Sequence, residues 1–172
     1  EDDWLQWSSK KRTERISSAL KNKESPLNNQ STLTKKTLAV FQAIAFCKRK
    51  YGKESIGLFI VSMTRDIDDI LSVLLLASWG DLQNRDGQIM LDIVPLLETV
   101  DDLKNGPEII KSLIENEPYS NHLAVRQNKQ TVMIGYSDSN KDSGIASARW
   151  ALQEAQIALA KAAVTHKFDL FL

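Results

Sequence analysis

The sequence is poor in the residues that announce a special environment. It has one cysteine, Cys47, in 172 residues. No disulfide can form within the chain, and the composition suits a reducing, cytoplasmic compartment. It has two histidines, His122 and His166, and neither has a partner at metal-ligand spacing. It has no excess of charge, since 22 Lys and Arg balance 22 Asp and Glu. Nucleic-acid and membrane-surface proteins usually carry a basic excess, so neither partner is expected. No apolar run reaches the roughly 18 residues of a membrane span. The longest, over residues 70–79, carries Ser72 and Ser78 and fits a buried helix. There is no signal-peptide pattern, no glycine-rich phosphate loop, no serine-nucleophile elbow and no metal-binding histidine pair. The sequence starts at Glu1 and ends in an apolar run at Leu172. It therefore reads as cut at both ends and as a piece of a longer protein.

What is present suffices for one domain with a real core: 42% of the residues are apolar. Residues 1–31 form a polar lead-in. Ser8 or Ser9 can cap a helix through Ile16 and Leu20, and residues 22–31 (NKESPLNNQS) read as a loop or linker. Residues 32–172 form the second part. Leu38, Phe41, Ile44 and Ala45 fall at 3–4 spacing and predict a helix that Gly52 ends.

From there strands and helices alternate. Residues 58–61 (LFIV) predict a strand buried on both faces. Asp66 caps a helix with Ile67, Ile70, Leu71, Leu74 and Leu75 on one face, stopped by Gly80. A second strand is expected over 89–97. A helical segment over 100–115 follows, interrupted at Gly106-Pro107. Ser120 can cap a short helix to Arg126. A third strand is expected over 131–135, an alanine-rich helix over 143–166, and the opening of a fourth strand over 168–172. Such alternation means an α/β fold with a parallel sheet and right-handed crossovers. It closes either as an open doubly wound sheet or as part of a (β/α)₈ barrel. A whole barrel takes about 250 residues, so four units make half of one.

In both architectures ligands bind beyond the carboxyl ends of the strands. Polar residues cluster there: 62–65 (SMTR), Glu98-Thr99, and 136–142 (YSDSNKD). Glu98 and Asp138 follow successive apolar strands. Parallel neighbours lie about 4.8 Å apart, so two carboxylates at equal height can share Mg²⁺ or Mn²⁺. The competing reading makes Glu98 a helix cap and Asp138 a turn residue. Lys141, in the turn that follows, either holds a phosphate or carboxylate as a point charge or is a solvated loop lysine. Asp101 and Asp102 suit the first turn of a helix. His122 and His166 read as surface or cap residues, and Cys47 as a small boundary residue.

At these strand ends the sequence resembles the phosphoenolpyruvate carboxylase family. Residues 132–144 (VMIGYSDSNKDSG) are similar to that family's GYSDSxKDxG region, and 94–103 (VPLLETVDDL) to its PLFET(I/L)DDL stretch. Residues 60–64 (IVSMT) resemble a strand ending in ISM. The order and separations match, over roughly residues 35–172. The resemblance implies a (β/α)₈ barrel enzyme with extra helices, homotetrameric and cytosolic or plastidic. It would carboxylate phosphoenolpyruvate with bicarbonate to oxaloacetate and phosphate, using Mg²⁺ or Mn²⁺. Carried over by position, Glu98 and Asp138 match the metal-binding carboxylates, and Lys141 matches a catalytic lysine of the motif. The family's TAHPTE, GGDRDGNP and FHGRGG motifs do not occur in this sequence. The chain by itself is therefore expected to be inactive. The alternative is a non-catalytic binding or scaffold protein derived from such a barrel.

Overall fold

A computed structural model describes residues 3–172. The lead-in helix α1 (Ser9–Lys21) starts where expected. The Ser8 side chain accepts a hydrogen bond from the Lys11 amide, which satisfies one of the free N–H groups of the first turn. Helix α2 (Thr32–Tyr51) starts in the same way at Ser31, with the Thr34 amide as donor. It buries Leu38, Phe41, Ile44 and Ala45, the stripe set by the sequence spacing. It stops at Gly52, whose φ of +101° suits glycine. The loop between the helices is anchored. Arg15 pairs with Glu24 through two nitrogens, at 3.1 and 2.7 Å, and the Trp79 indole donates to the Glu24 carbonyl at 2.6 Å.

Five short strands follow: β1 (Leu58–Val61), β2 (Asp92–Leu97), β3 (Lys129–Thr131), β4 (Met133–Ile134) and β5 (Asp169–Phe171). Helix α3 (Ile67–Trp79) links β1 to β2, and α4 (Val100–Glu115) with α5 (Glu117–Val125) links β2 to β3. Helices α6 (Tyr136–Ser143) and α7 (Ile145–His166) link β4 to β5. The pairing β1-β2-β4 is parallel, with Leu58 opposite Asp92 and Leu96 opposite Met133. β3 pairs with β5, also parallel, with Lys129 opposite Asp169. The protein is thus mixed α/β, with its parallel strands in a three-stranded and a two-stranded sheet.

Two apolar clusters hold these layers. In one, Phe41, Ile70, Leu71, Leu74 and Ile93 meet Ile16 of the lead-in helix. In the other, α4 and α7 close over β2 through Leu97, Leu103, Ile110, Leu152 and Leu159. A charged contact adds to the first. Asp68 of α3, only 4% exposed, accepts hydrogen bonds from Ser9 and Arg12 of α1. The α3 start is fixed by a reciprocal cap between Asp66 and Asp69.

The structure departs from the sequence expectations at six places. β1 is not buried on both faces: Phe59 and Val61 pack on the core, whereas Leu58 and Ile60 are 51% and 45% exposed. Among the described residues nothing layers over that face, and Met133 and Phe171 are exposed as well. β2 starts at Asp92 rather than at residue 89, because Ile89 pairs back to Gln83 in a tight loop. Asn84 knits this loop by accepting from the Asp86 and Gln88 amides. Helix α4 runs unbroken through Pro107. Its buried stripe, Leu103, Gly106, Ile109, Ile110 and Leu113, continues on both sides of the proline, and that packing outweighs a cost of about 3 kcal/mol. Helix α5 begins at Glu117, after Asn116 and with Pro118 in its first turn, not at Ser120. The third strand is two strands with different partners, hinged at fully buried Val132, whose amide reaches the Phe171 carbonyl at 2.9 Å. Residues 136–142 are not a turn but lie in α6. Its serines bond back along the chain, Ser139 to the Gly135 carbonyl and Ser143 to the Ser139 carbonyl. Gly144, at φ +79°, then separates α6 from α7.

Candidate functional site at the carboxyl ends of the strands

The segments after β1, β2 and β4 meet at one end of the sheet. After β1 the chain turns through Met63, held at φ +53°. Buried Thr64 then ties this turn down, its hydroxyl donating to the Val61 carbonyl at 2.8 Å. After β2, Thr99 caps α4. Its hydroxyl accepts from the Asp102 amide at 3.1 Å, and the Asp102 carboxylate accepts from the Thr99 amide at 2.9 Å. The same carboxylate receives the Glu98 amide at 3.3 Å. Asp102 is therefore a capping residue that also fixes the backbone of Glu98. Asp101 is exposed and pairs only loosely with Lys104.

After β4 the chain passes very close to Glu98. The Gly135 amide donates to the Leu97 carbonyl at 2.7 Å. A Cβ on Gly135 would lie 3.0 Å from the Glu98 Cα and 3.1 Å from the Leu97 oxygen. A side chain there would press on this backbone, so glycine suits the close start of α6. The far end of α6 is tied to the same place, since Asp142 accepts from the Val100 amide at 3.2 Å. Two contacts therefore bind α6, which carries Asp138 and Lys141, to the loop that carries Glu98.

Glu98 is half-buried and lines a cleft of about 340 Å³ with Met63, Arg65, Thr99, Asn105 and others. Asp138 and Lys141 do not line this cleft. They sit on α6 as an ion pair at 3.5 Å, with side chains 54% and 78% exposed. Among the described residues no group of three or more His, Cys, Asp or Glu converges as a metal cage. The sequence reading did not single out Arg65 or Asp142. Both stand inside the polar strand-end segments, but their roles depend on loops meeting in space. Arg149 is another such case: its guanidinium covers the Tyr136 ring at 4.2 Å.

Neither histidine is near this end. His122, on α5, is not a surface residue: it is only 7% exposed. Burial, aided by the nearby Arg126 charge, pushes its pKa down to about 3. His166 sits in the last turn of α7, its ring 4.0 Å from Glu115. Cys47 is a free thiol, half-buried on α2. No described helix is long and apolar enough to cross a membrane.

Comparison with known proteins gives this strand end a family. The profile of the phosphoenolpyruvate carboxylase family matches residues 1–172. The chain belongs to the phosphoenolpyruvate carboxylase family. Among the relatives, the phosphoenolpyruvate carboxylase of Xanthomonas oryzae pv. oryzae is 48% identical over 125 residues, 73% of this chain and 14% of that protein. The enzyme of Corynebacterium diphtheriae is 40% identical over 137 residues, 80% of this chain and 14% of its own length. That of Gloeobacter violaceus is 39% identical over 141 residues, 81% and 15% respectively. The chain thus spans about one seventh of the length of the curated relatives it matches. In phosphoenolpyruvate carboxylase terms, the two stretches that carry the resemblance are the loop after β2 and helix α6. Gly135 and Asp142 are the contacts that join them.

Proposed function

We propose that this chain supplies the metal-holding part of a phosphoenolpyruvate carboxylase, one arc of a (β/α)₈ barrel. The parallel pairings, each reached by a helical crossover, support the arc. The observation that carries the reading is the docking of α6 beside Glu98 through Gly135 and Asp142. It sets two carboxylates on adjoining segments at the carboxyl end of a parallel sheet, where such folds place their chemistry.

The donor set fits a hard divalent cation. Glu98 and Asp138 offer oxygen only, and Mg²⁺ or Mn²⁺ held by two carboxylates keeps its remaining positions for water and substrate oxygens. Bound there, the ion would supply positive charge against the phosphate of phosphoenolpyruvate and the developing enolate oxygen. The chain's own cations complement it. Arg65 in the Glu98 cleft presents a planar fork suited to a carboxylate or phosphate, and Lys141 presents a point charge beside Asp138. The residues of this chain thus bind and orient an anionic substrate.

Among the described residues no histidine accompanies them. His122 is buried elsewhere and His166 lies at the far end of α7. The 172-residue chain alone is accordingly inactive. The carboxylation of phosphoenolpyruvate by bicarbonate belongs to the complete cytoplasmic, homotetrameric enzyme. A chimera tests this, in which the segment replaces its counterpart in the Xanthomonas oryzae carboxylase. Oxaloacetate formation is expected from the chimera. Glu98→Gln and Asp138→Asn should each lower it by orders of magnitude at saturating phosphoenolpyruvate. A near-normal rate with Mg²⁺ in either variant would remove the metal-ligand assignment. A folded but inactive chimera would favour a binding or scaffold role.

A further inference from the structure

Helix α7 is apolar on two opposite faces. One face, with Ala148, Leu152, Ala155 and Leu159, is buried against α4 and its neighbours. The other carries Trp150, Ile157 and Val164, which are 67%, 44% and 82% exposed. Ala146, Gln153 and Ala160 fall between them and are exposed too. From residue 146 to residue 164 these six positions step by four and three residues in turn. That spacing is the seam of a coiled-coil helix, the a and d positions of a heptad, and it suits a second helix laid along it. The outward face of a helix is ordinarily polar, so three large apolar groups in one line mark a docking face.

The charges beside the seam say what lies on it. Glu154 and Lys161 flank it on the same side, one heptad apart. Both are exposed, and neither has an ion-pair partner among the described residues. Flanking positions of this kind face each other across the seam when two helices run antiparallel. Two copies of α7 centred between residues 158 and 159 place Glu154 of each copy against Lys161 of the other. In the same register Ile157 meets Ala160 of the second copy, Val164 meets Gln153, and Trp150 closes either end over Val164. Large groups thus fall on small ones. A parallel pair would set Trp150 on Trp150 and Ala160 on Ala160. It would also need Arg149 opposite Glu154, and Arg149 already covers the Tyr136 ring. The exposed apolar residues of α2 lack this self-complementarity. Leu33, Val40 and Phe46 share that helix with Lys35, Lys36, Arg49 and Lys50 and with no acid, so two such faces repel.

We propose that the outer face of α7 docks a second copy of this chain as an antiparallel, two-fold symmetric helix pair. A two-fold contact uses the same patch on both copies, so the Glu154–Lys161 attraction is made twice. The pairing is modest and reversible, because exposed ion pairs contribute little each and the seam is short and includes Gln153. The face shares no residue with the Glu98 cleft. The proposal does not rest on the carboxylase reading.

Sedimentation equilibrium of the 172-residue chain tests the pair directly. The wild type should show a reversible monomer–dimer equilibrium. A chain still monomeric at about 1 mM would assign the seam to another protein or another segment and overturn the proposal. Glu154→Lys and Lys161→Glu each turn both attractions into repulsions, and each should weaken the dimer at least tenfold or so. Mixed in equal amounts, the two variants should dimerise as tightly as the wild type, because the mixed pair regains both attractions. Ile157→Gln keeps a good helix former at an exposed position and should also weaken the dimer by about tenfold. An unchanged helical circular dichroism spectrum shows that each variant remains folded. A dimer that neither charge reversal weakens, or a mixture no tighter than the separate variants, would place the contact elsewhere and overturn the antiparallel α7 pair.

Discussion

Replacing Gly135 by alanine isolates the contact on which the strand-end geometry depends. The backbone there is extended, at φ −78° and ψ 105°, so alanine meets no dihedral penalty. The conflict is purely steric. The new methyl would sit 3.0 Å from the Glu98 Cα, 3.1 Å from the Leu97 oxygen and 3.5 Å from the Glu98 oxygen. All three atoms are backbone, so no side chain can swing aside, and β2 and β4 must move apart by some tenths of an ångström. Overpacking of this kind costs about 1–3 kcal/mol. Against it stands the smaller entropy of an unfolded chain with one glycine fewer, worth about 0.4–1 kcal/mol. A net loss of roughly 1–2 kcal/mol remains. For a chain of this size that lowers the melting temperature by about 2–8 °C. The control is Gly57→Ala, where nothing lies within 4 Å of the added Cβ and φ is not in the left-handed region. It should be neutral or slightly stabilising. Both variants can be read by calorimetry, with amide hydrogen exchange at Gly135 as a local reporter. The Gly135 amide donates to the Leu97 carbonyl, so the alanine variant should exchange faster there. Equal stability of the two variants, or unchanged exchange at residue 135, would refute the argument that glycine sets the approach of α6 to Glu98.

Two other expectations concern the polar interior. Folded His122 protonates near pH 3, whereas an unfolded histidine does so near 6.5. The unfolded chain therefore binds more protons between these values, so His122's contribution is fully present above about pH 6.5 and is lost as pH falls below it. Between pH 7.0 and 5.5 that loss is about 1 kcal/mol. Urea midpoints should fall accordingly in the wild type and much less in His122→Gln, and parallel pH profiles would contradict this. The charges facing the ring are Arg126, which adds to the downward shift, and Asp92, which opposes it. Fully buried Tyr119 donates its hydroxyl to Gln130 at 2.7 Å, and burial drives the phenol pKa upward. Gln130 in turn donates to the Ile93 and Thr131 carbonyls. Tyr119→Phe strands the Gln130 oxygen and should cost about 1–3 kcal/mol of unfolding free energy. A loss too small to measure would mean that the amide finds another donor.

The sequence was most informative where a pattern is local. Ser8 and Asp66 cap helices as their place ahead of an apolar stripe suggests, and the α2 and α3 stripes are buried as their spacing requires. It was least informative where the outcome depends on a distant neighbour. Residues 58–61 form a continuous apolar run, but whether both faces are covered depends on elements that the run does not encode. Pro107 carries the signal of a break, and the helix persists because Leu97 and α7 hold the stripe on either side of it. At the site, Glu98, Asp138 and Lys141 stood out because polar residues interrupt apolar strands. Asp142 and Arg65 did not, because one bonds to a backbone amide 42 residues away and the other shares a cleft with Glu98. His122 was misplaced for the opposite reason. Nothing in its flanking residues reveals that α5 turns it inward, against Tyr119 and the start of β2.

The two ends of the sheet solve different physical problems. At the carboxyl end the charged side chains stay largely in water, and the structural effort goes into backbone: Gly135, Thr99, Asp102 and Asp142 together hold two segments in register. Glu98 is half-buried and Asp138 exposed, and the backbone beneath them is tied together before any cation arrives, which is what such a site requires. At the amino end the polar groups are buried. Asp92 pairs with Arg126, Tyr119 with Gln130, and the neutral His122 ring lies against the backbone of Ile89 and Leu91. Desolvation makes each of these groups expensive unless partnered, so they lie in pairs or against backbone. The bulk charge balance of the chain has no bearing on either end. Both turn on single groups placed by the backbone, Glu98 and Asp138 at one and Asp92 with Arg126 at the other.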